Sequence, residues 1–324
     1  MKDDFNQYNS GDLAFTRQNP YGTEIEAMYS GATSFMRRRY SRDLTNVDVA
    51  VIGVPFDLAT SNRPGARFGP RSVRAASTQL SWARPWPWLE DPFETLNVVD
   101  YGDCVFDPGQ PETIAPTIER WYDHILSQGV KPLSIGGDHF VSYPIIKALA
   151  KKHGPISLIH FDAHCDTWPD KEGRVDHGTM FYHAAKQGIV DATASVQVGM
   201  RTVNDLDLGY KVLDALWLHE QGVDVALRVI KETVGNKPTY ITFDIDFLDP
   251  SCAPGTGTPV CGGFDTITAI KLLHGLQGVN LIGADVVEVA PAYDHAEITA
   301  LAGATIATNL VCLMAETMKR KAQS

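Results

Sequence analysis

Asp162, His164 and Asp166 stand two residues apart in HFDAHCD (160–166), and Asp244 and Asp246 repeat that spacing in TFDIDFLDP (242–250). In extended backbone, residues two apart point to the same side. Each segment therefore presents its polar side chains together, with Ala163 and Cys165 facing away. His139, after the two glycines of IGGDH (135–139), adds a second imidazole. Carboxylates gathered this closely repel one another unless cations offset them, and two divalent metals would do so. An oxygen-rich set with a few imidazoles suits Mn²⁺ and, less well, Mg²⁺, whereas thiolates would suit Zn²⁺. A water shared by two such cations gives up a proton near neutral pH and becomes a nucleophile for hydrolysis. A structural metal site or a hydrogen-bonded crevice would use the same residue types, but the joint constellation favours catalysis.

Strand ends are needed to hold these side chains. Short β-branched runs fall at 47–53, 96–100, 131–135, 155–161, 195–200, 239–245 and 280–285. Helix-like stretches fall at 112–128, 142–153, 178–188, 222–234, 265–275 and 297–319. This alternation predicts βαβ units and an α/β fold with a mostly parallel sheet covered on both faces. In such sheets functional groups gather beyond the carboxyl ends of the strands, where the three motifs lie. Residues 1–45 are polar and irregular and are expected to pack on the domain or on a neighbouring subunit. Residues 46–324 are expected to form one domain, since no linker or repeat divides them. The basic run RRRY (37–40) reads as a solvated surface or a subunit contact.

Composition narrows the function. The 324 residues carry 28 basic and 39 acidic side chains, a formal net charge of −11, which argues against nucleic acid or an anionic membrane as the main partner. The longest apolar runs look far shorter than the roughly 20 residues a membrane-crossing helix needs. The polar, acidic start MKDDFNQYNSGD resembles neither a signal nor a transit peptide. Five cysteines without close pairing suggest reduced thiols and a cytoplasmic protein.

GGDH, FDAHCD and FDIDFLDP, with GVPFDLATSNRPGARFGPRSVR (53–74), SCAPGTGTPVCGG (251–263) and DVVEVAPAYD (285–294), resemble the ureohydrolase family of arginases and agmatinases. LNVVDYGD (96–103), VDHGTMFY (175–182) and the PGTGTPV loop are most similar to the bacterial agmatinases. The resemblance implies the arginase-like fold, a three-layer architecture with an eight-stranded sheet, and two Mn²⁺ per chain. It implies that Asp162 and Asp244 bridge both metals, that His139 and Asp166 complete one, and that His164 and Asp246 complete the other. Cys165 and Phe247 depart from the family pattern between the ligands. The implied reaction is hydrolysis of a guanidino compound to release urea, with agmatine giving putrescine. By the same resemblance Glu288 holds the substrate guanidinium through paired hydrogen bonds, His177 shuttles a proton, and the chain is a homo-oligomer, trimer or hexamer. Asp166 would also aim the nucleophile.

Several neighbours have plainer roles open to them. Glu288 would alternatively be a buried carboxylate paired to an internal base, and His177 a solvated loop histidine. Asp138 is a support for a ligand or a helix cap. His160 is read as packing or as a partner of Asp162 rather than a seventh ligand. Trp82, Trp86 and Trp88 suit a pocket wall, a subunit interface or a cover over the core. GTGTP (255–259) lacks the Lys-Ser/Thr of a phosphate loop. Trp168 and Pro169 favour a substrate without a carboxylate. Lys171 and Arg174 would instead suit guanidinobutyrate, with guanidinopropionate a further alternative. A phosphatase would be expected to place basic residues among the ligand motifs, which hold none, and a deacetylase would be expected to bind a single zinc.

Overall fold

The computed structural model describes residues 26–170, 173–202 and 204–323, together with 14, 15 and 20. Eight strands form one parallel sheet: β1 Val49–Val54, β2 Val98–Asp103, β3 Lys131–Gly136, β4 Ser157–Phe161, β5 Val196–Met200, β6 Lys211–Asp214, β7 Thr239–Asp244 and β8 Leu281–Val287. Their spatial order is β2-β1-β3-β8-β7-β4-β5-β6, and every pairing is parallel. The helices are α1 Gly69–Ser77, α2 Ile114–Ser127, α3 Ser142–His153, α4 Met180–Lys186, α5 Ala215–Gln221, α6 Val223–Val234, α7 Thr266–Gly275 and α8 Ile298–Gln323.

Two apolar clusters, one on each face, hold the layers together. Along β1, Val49 and Val51 enter the cluster covered by α1 and α5 to α8, whereas Ala50, Ile52 and Val54 enter the one covered by α2 to α4. The period of two thus splits one continuous apolar run between two cores. In α2, Ile114, Ile118, Tyr122 and Ile125 recur at helical spacing and are buried as one stripe. Asp214 and Asp265 cap α5 and α7 by accepting from Trp217 N–H and Thr268 N–H, each at 2.9 Å. Gly154 and Gly222, with φ of 75° and 80°, end α3 and α5 in backbone that glycine adopts without strain.

Two expectations need correction, and a third divides. Ile298–Arg320 of α8 is long and apolar enough to cross a membrane, but 83% of its most apolar window is buried within the domain, so it is a core helix. RRRY is not a solvated run throughout: Arg37 and Arg38 are buried, and Arg38 lies 4.1 Å from the Phe93 ring. Residues 35 and 36 are tied to the domain by Phe35 N–H to Asp100 Oδ2 and Met36 N–H to Ser77 Oγ, both at 2.8 Å. The three tryptophans also separate. Trp88 is buried and donates to Asn309 Oδ1 of α8 at 2.7 Å, whereas Trp86 is 67% exposed.

Candidate metal centre and substrate crevice

Four neighbouring strands, β3, β8, β7 and β4, end on the same edge of the sheet and deliver the polar motifs. The backbone there is not the extended chain expected from spacing. β4 stops at Phe161, and residues 162–164 run through bends to Asp166, whose φ is +50°. Asp246 lies in a 3-10 turn, Ile245–Phe247, capped by Asp244 Oδ1, which accepts from Asp246 N–H at 2.8 Å. The side chains converge because these turns are cross-tied. Ala163 N–H donates to Asp246 Oδ1 at 3.0 Å, and His164 N–H donates to Asp162 Oδ1. Beneath them, Phe161, Phe243, Phe247 and Phe264 pack ring against ring and fix both turns from below.

The six predicted ligands meet around two imidazole nitrogens. His139 Nδ1 lies 3.0 Å from Asp162 Oδ2, 2.9 Å from Asp166 Oδ2 and 3.3 Å from Asp244 Oδ2. His164 Nδ1 lies 3.3 Å from Asp162 Oδ1 and 3.1 Å from Asp246 Oδ2. Asp162 therefore turns one oxygen to each imidazole. Donor atoms of His139, His160, Asp162 and Asp166 fall within 4.8 Å of one another, as do those of Asp162, His164 and Asp246. Asp244 faces the first group through Oδ2, its other oxygen being engaged by Asp246 N–H.

Proton positions favour cations here. Thr242 Oγ1 donates to Asp285 Oδ1 at 2.6 Å, so it accepts from His139 Nε2–H at 2.8 Å and leaves Nδ1 to face the carboxylates. Asp285, buried on β8, also accepts from Ser142 Oγ and Tyr240 OH. Gln197 Nε2 donates to His160 Nδ1, so His160 uses Nε2–H to hold Asp162 Oδ2 at 2.7 Å. His160 thus turns Nε2–H to Asp162 and is a partner of that carboxylate. Burial would raise Asp162, but His160, His139 and His164 hold it well below the usual carboxylate range. Burial and the neighbouring carboxylates push Asp244 well above that range. Burial would lower His164, but Asp246 and Asp162 override it and push the imidazole up to about 12. An unequal, buried carboxylate set that holds protons in place of cations is the donor set of a metal centre.

Beside this cluster, Glu288 follows β8 with a φ of +63°, a strained conformation for a side chain of this size. Its Oε1 accepts from His139 N–H at 2.9 Å and from His177 Nδ1 at 3.0 Å, while Oε2 is buried without a hydrogen-bond partner. His177 Nε2 meets Ser61 twice, at 2.9 Å to its N–H and 2.8 Å to its hydroxyl. The neutral ring accepts from the N–H, and the protonated ring would donate to the hydroxyl, so both forms have a partner. Burial would lower His177, but Glu288, Asp166 and Asp138 push it up to about 9. Of the two roles open to it, Asp138 takes the cap: Oδ1 accepts from Phe140 N–H, while Oδ2 accepts from Ala59 N–H at 2.9 Å.

Cys165 takes no part in either ligand group. It lies on the wall of a separate cavity of about 820 Å³, with Thr167 and Arg201 among its neighbours. Arg201, which the sequence reading passed over, donates to the carbonyls of Gly199, Asp246, Phe247 and Val260 and so holds the turn carrying Asp246. Thr242 and Asp285 were also missed; their one signal is polarity inside apolar strands. Arg174 is bracketed by Asp170 at 3.7 Å and Asp176 at 3.2 Å. Lys171 lies outside the described residues.

Carboxylates and imidazoles gathered at the carboxyl edge of a parallel α/β sheet define a metal-dependent hydrolase. Residues 47–312 match the Arginase family, and the chain belongs to that family. The agmatinase of Chromobacterium violaceum is 56% identical over 306 residues, covering 94% of this chain and 95% of that protein. The agmatinase of Photorhabdus laumondii is 49% identical, covering 90% and 95%. A crystal structure of a hypothetical agmatinase from Burkholderia thailandensis superposes with a TM-score of 0.91 at 56% identity, covering 96% of this chain and 99% of that one.

Proposed function

We propose that the chain hydrolyses agmatine to putrescine and urea, with a pair of Mn²⁺ ions held by His139, Asp162, His164, Asp166, Asp244 and Asp246. The observation that carries this reading is Glu288 Oε2, a buried carboxylate oxygen without a partner beside the ligand cluster. Such an atom costs stability unless a donor arrives, and a guanidinium is all donors. Agmatinases of three bacteria at 48–56% identity support the choice of substrate. When bound, the cations would supply an acidified water as nucleophile and offset charge developing in the transition state. Mn²⁺ is chosen because the donors are mostly carboxylate oxygens with two imidazoles.

The side chains then divide the work. Glu288 fixes the guanidinium and keeps its carbon over the ligand cluster. Asp166 is placed to accept a hydrogen bond from the nucleophile and orient it. His177, joined to Glu288, carries a proton toward the departing amine, and Ser61 satisfies its far nitrogen in either state. Protonating that amine matters because a guanidinium spreads its charge over three nitrogens and resists losing any of them. Arg174 is paired with Asp170 and Asp176, which supports the ammonium tail of agmatine over a carboxylate tail. The five cysteines are free thiols, which supports a reducing, cytoplasmic setting. Assembly as a trimer or hexamer rests on the family resemblance.

Urea release measured with agmatine, arginine, 4-guanidinobutyrate and free guanidine on Mn²⁺-loaded protein tests the substrate. Agmatine should lead in kcat/KM by at least about tenfold, the scale on which one polar group at a substrate tail discriminates. A preference for guanidinobutyrate would overturn the choice of tail, and no urea from any of the four would overturn the reaction.

A further inference from the structure

A guanidinium is planar, carries only donors and needs acceptors on more than one edge. Glu288 does not supply them alone. Its Oε1 is committed to His139 N–H and His177 Nδ1, which leaves Oε2 for a ligand instead of the paired carboxylate grip expected from the sequence. The hydroxyl of Thr60 is in the same condition as Oε2: buried, with no hydrogen-bond partner among the described residues.

Both atoms look onto Gly257. A methyl built on that glycine would lie 3.3 Å from Glu288 Oε2, 3.5 Å from Thr60 Oγ1 and 3.1 Å from the Arg63 carbonyl oxygen. A side chain at 257 would therefore press on both unpartnered oxygens, and glycine is the residue that leaves them clear. The turn carrying Thr60 is pinned on both sides. Ala59 N–H donates to Asp138 and Ser61 N–H to His177. Asn62 Nδ2 donates to the Gly257 carbonyl at 3.1 Å. Thr60 is thus held in place by its neighbours, and its own hydroxyl is left over.

We propose that Thr60 is a substrate-binding residue whose hydroxyl accepts a hydrogen bond from the guanidinium held by Glu288, in a seat whose wall at Gly257 carries no side chain. This rests on the guanidino-substrate reading and supplies the acceptor that the carboxylate lacks. The chemistry selects a guanidinium over a simple ammonium, because two acceptors set apart match two N–H edges of one plane.

Mn²⁺-loaded wild type, T60V, T60S and G257A are compared for agmatine KM, calorimetric binding of guanidinium chloride, metal content and thermal stability. Loss of a hydrogen bond to a charged group predicts roughly a 10- to 100-fold weakening of both ligands in T60V, with metal content unchanged and T60S close to wild type. G257A, whose methyl would press on Glu288 Oε2 and Thr60 Oγ1, should weaken both ligands too, and it carries the test if T60V folds poorly. Wild-type-like binding of both ligands by T60V, or by G257A in its place, overturns the assignment, as does equal loss in T60V and T60S. Should wild type be inert on agmatine yet bind guanidinium in a Thr60-dependent way, the substrate reading falls and the seat stands.

Discussion

Which nitrogen of each imidazole carries its proton decides what it does here. Thr242 and Asp285 hold the His139 proton on Nε2, and Gln197 holds the His160 proton on its partner Asp162, so two adjacent histidines differ in role because of groups behind them. Among the described residues His164 has no such relay, and it keeps a proton against Asp246 and Asp162, with its imidazole pushed up to about 12. The sign follows directly. A raised imidazole favours the metal-free fold fully below about pH 6.5, the ordinary value, and that contribution is lost only as pH climbs through about 12. At neutral pH a metal must therefore displace protons. Mn²⁺ binding at pH 8 should release at least about one proton per chain and tighten as pH rises. Calorimetry in buffers of different ionisation enthalpy reads this, and zero protons released would contradict the assigned state of His164. The six candidate ligands were legible because carboxylates and imidazoles crowd the ends of apolar runs. Thr242 and Asp285 were not, because a hydroxyl or carboxylate inside an apolar strand shows its purpose only through a partner far away in sequence.

At the scale of elements, strand spacing grouped side chains that do lie together in the structure, but for an incomplete reason. Period-two alternation assumes extended chain, yet the strands end before the ligands, and turns complete the convergence. The outer elements were harder to read. In β6 only Leu213 is buried, so KVLD shows no alternating pattern. Helix α1 opens on Gly-Pro and buries Arg74, which breaks its apolar stripe. Arg74 joins α1 to β2 by donating to both oxygens of the fully buried Asp100, at 2.8 and 3.0 Å, and to the Gly102 carbonyl. Removing one partner strands a buried charge. Arg74→Ala should therefore cost about 3–5 kcal/mol in chemical denaturation, and a loss below about 1 kcal/mol would show that Asp100 finds water or another donor.

Across the whole molecule, the order β3-β8-β7-β4 explains how stretches more than a hundred residues apart come to face one another. His139 arrives after β3, Glu288 after β8, Asp244 and Asp246 at the end of β7, and Asp162, His164 and Asp166 after β4. The turn after β1 adds Thr60 and Ser61, and β5 leads to Arg201, so six of the eight strands serve one crevice. Sequence periodicity predicted the layers but not that order, because βαβ units permit many orders and only the crossovers choose among them. The acidic surface, with a net charge of −11, would draw a doubly cationic substrate toward the crevice.

The most direct measurement is urea release from agmatine as Mn²⁺ is added stepwise to metal-free protein of known concentration. The arrangement predicts a rise that levels off at two equivalents per chain, and its loss in Asp162→Asn, whose side chain faces both imidazoles. A plateau at one equivalent, or full activity in Asp162→Asn, would contradict a paired-metal centre.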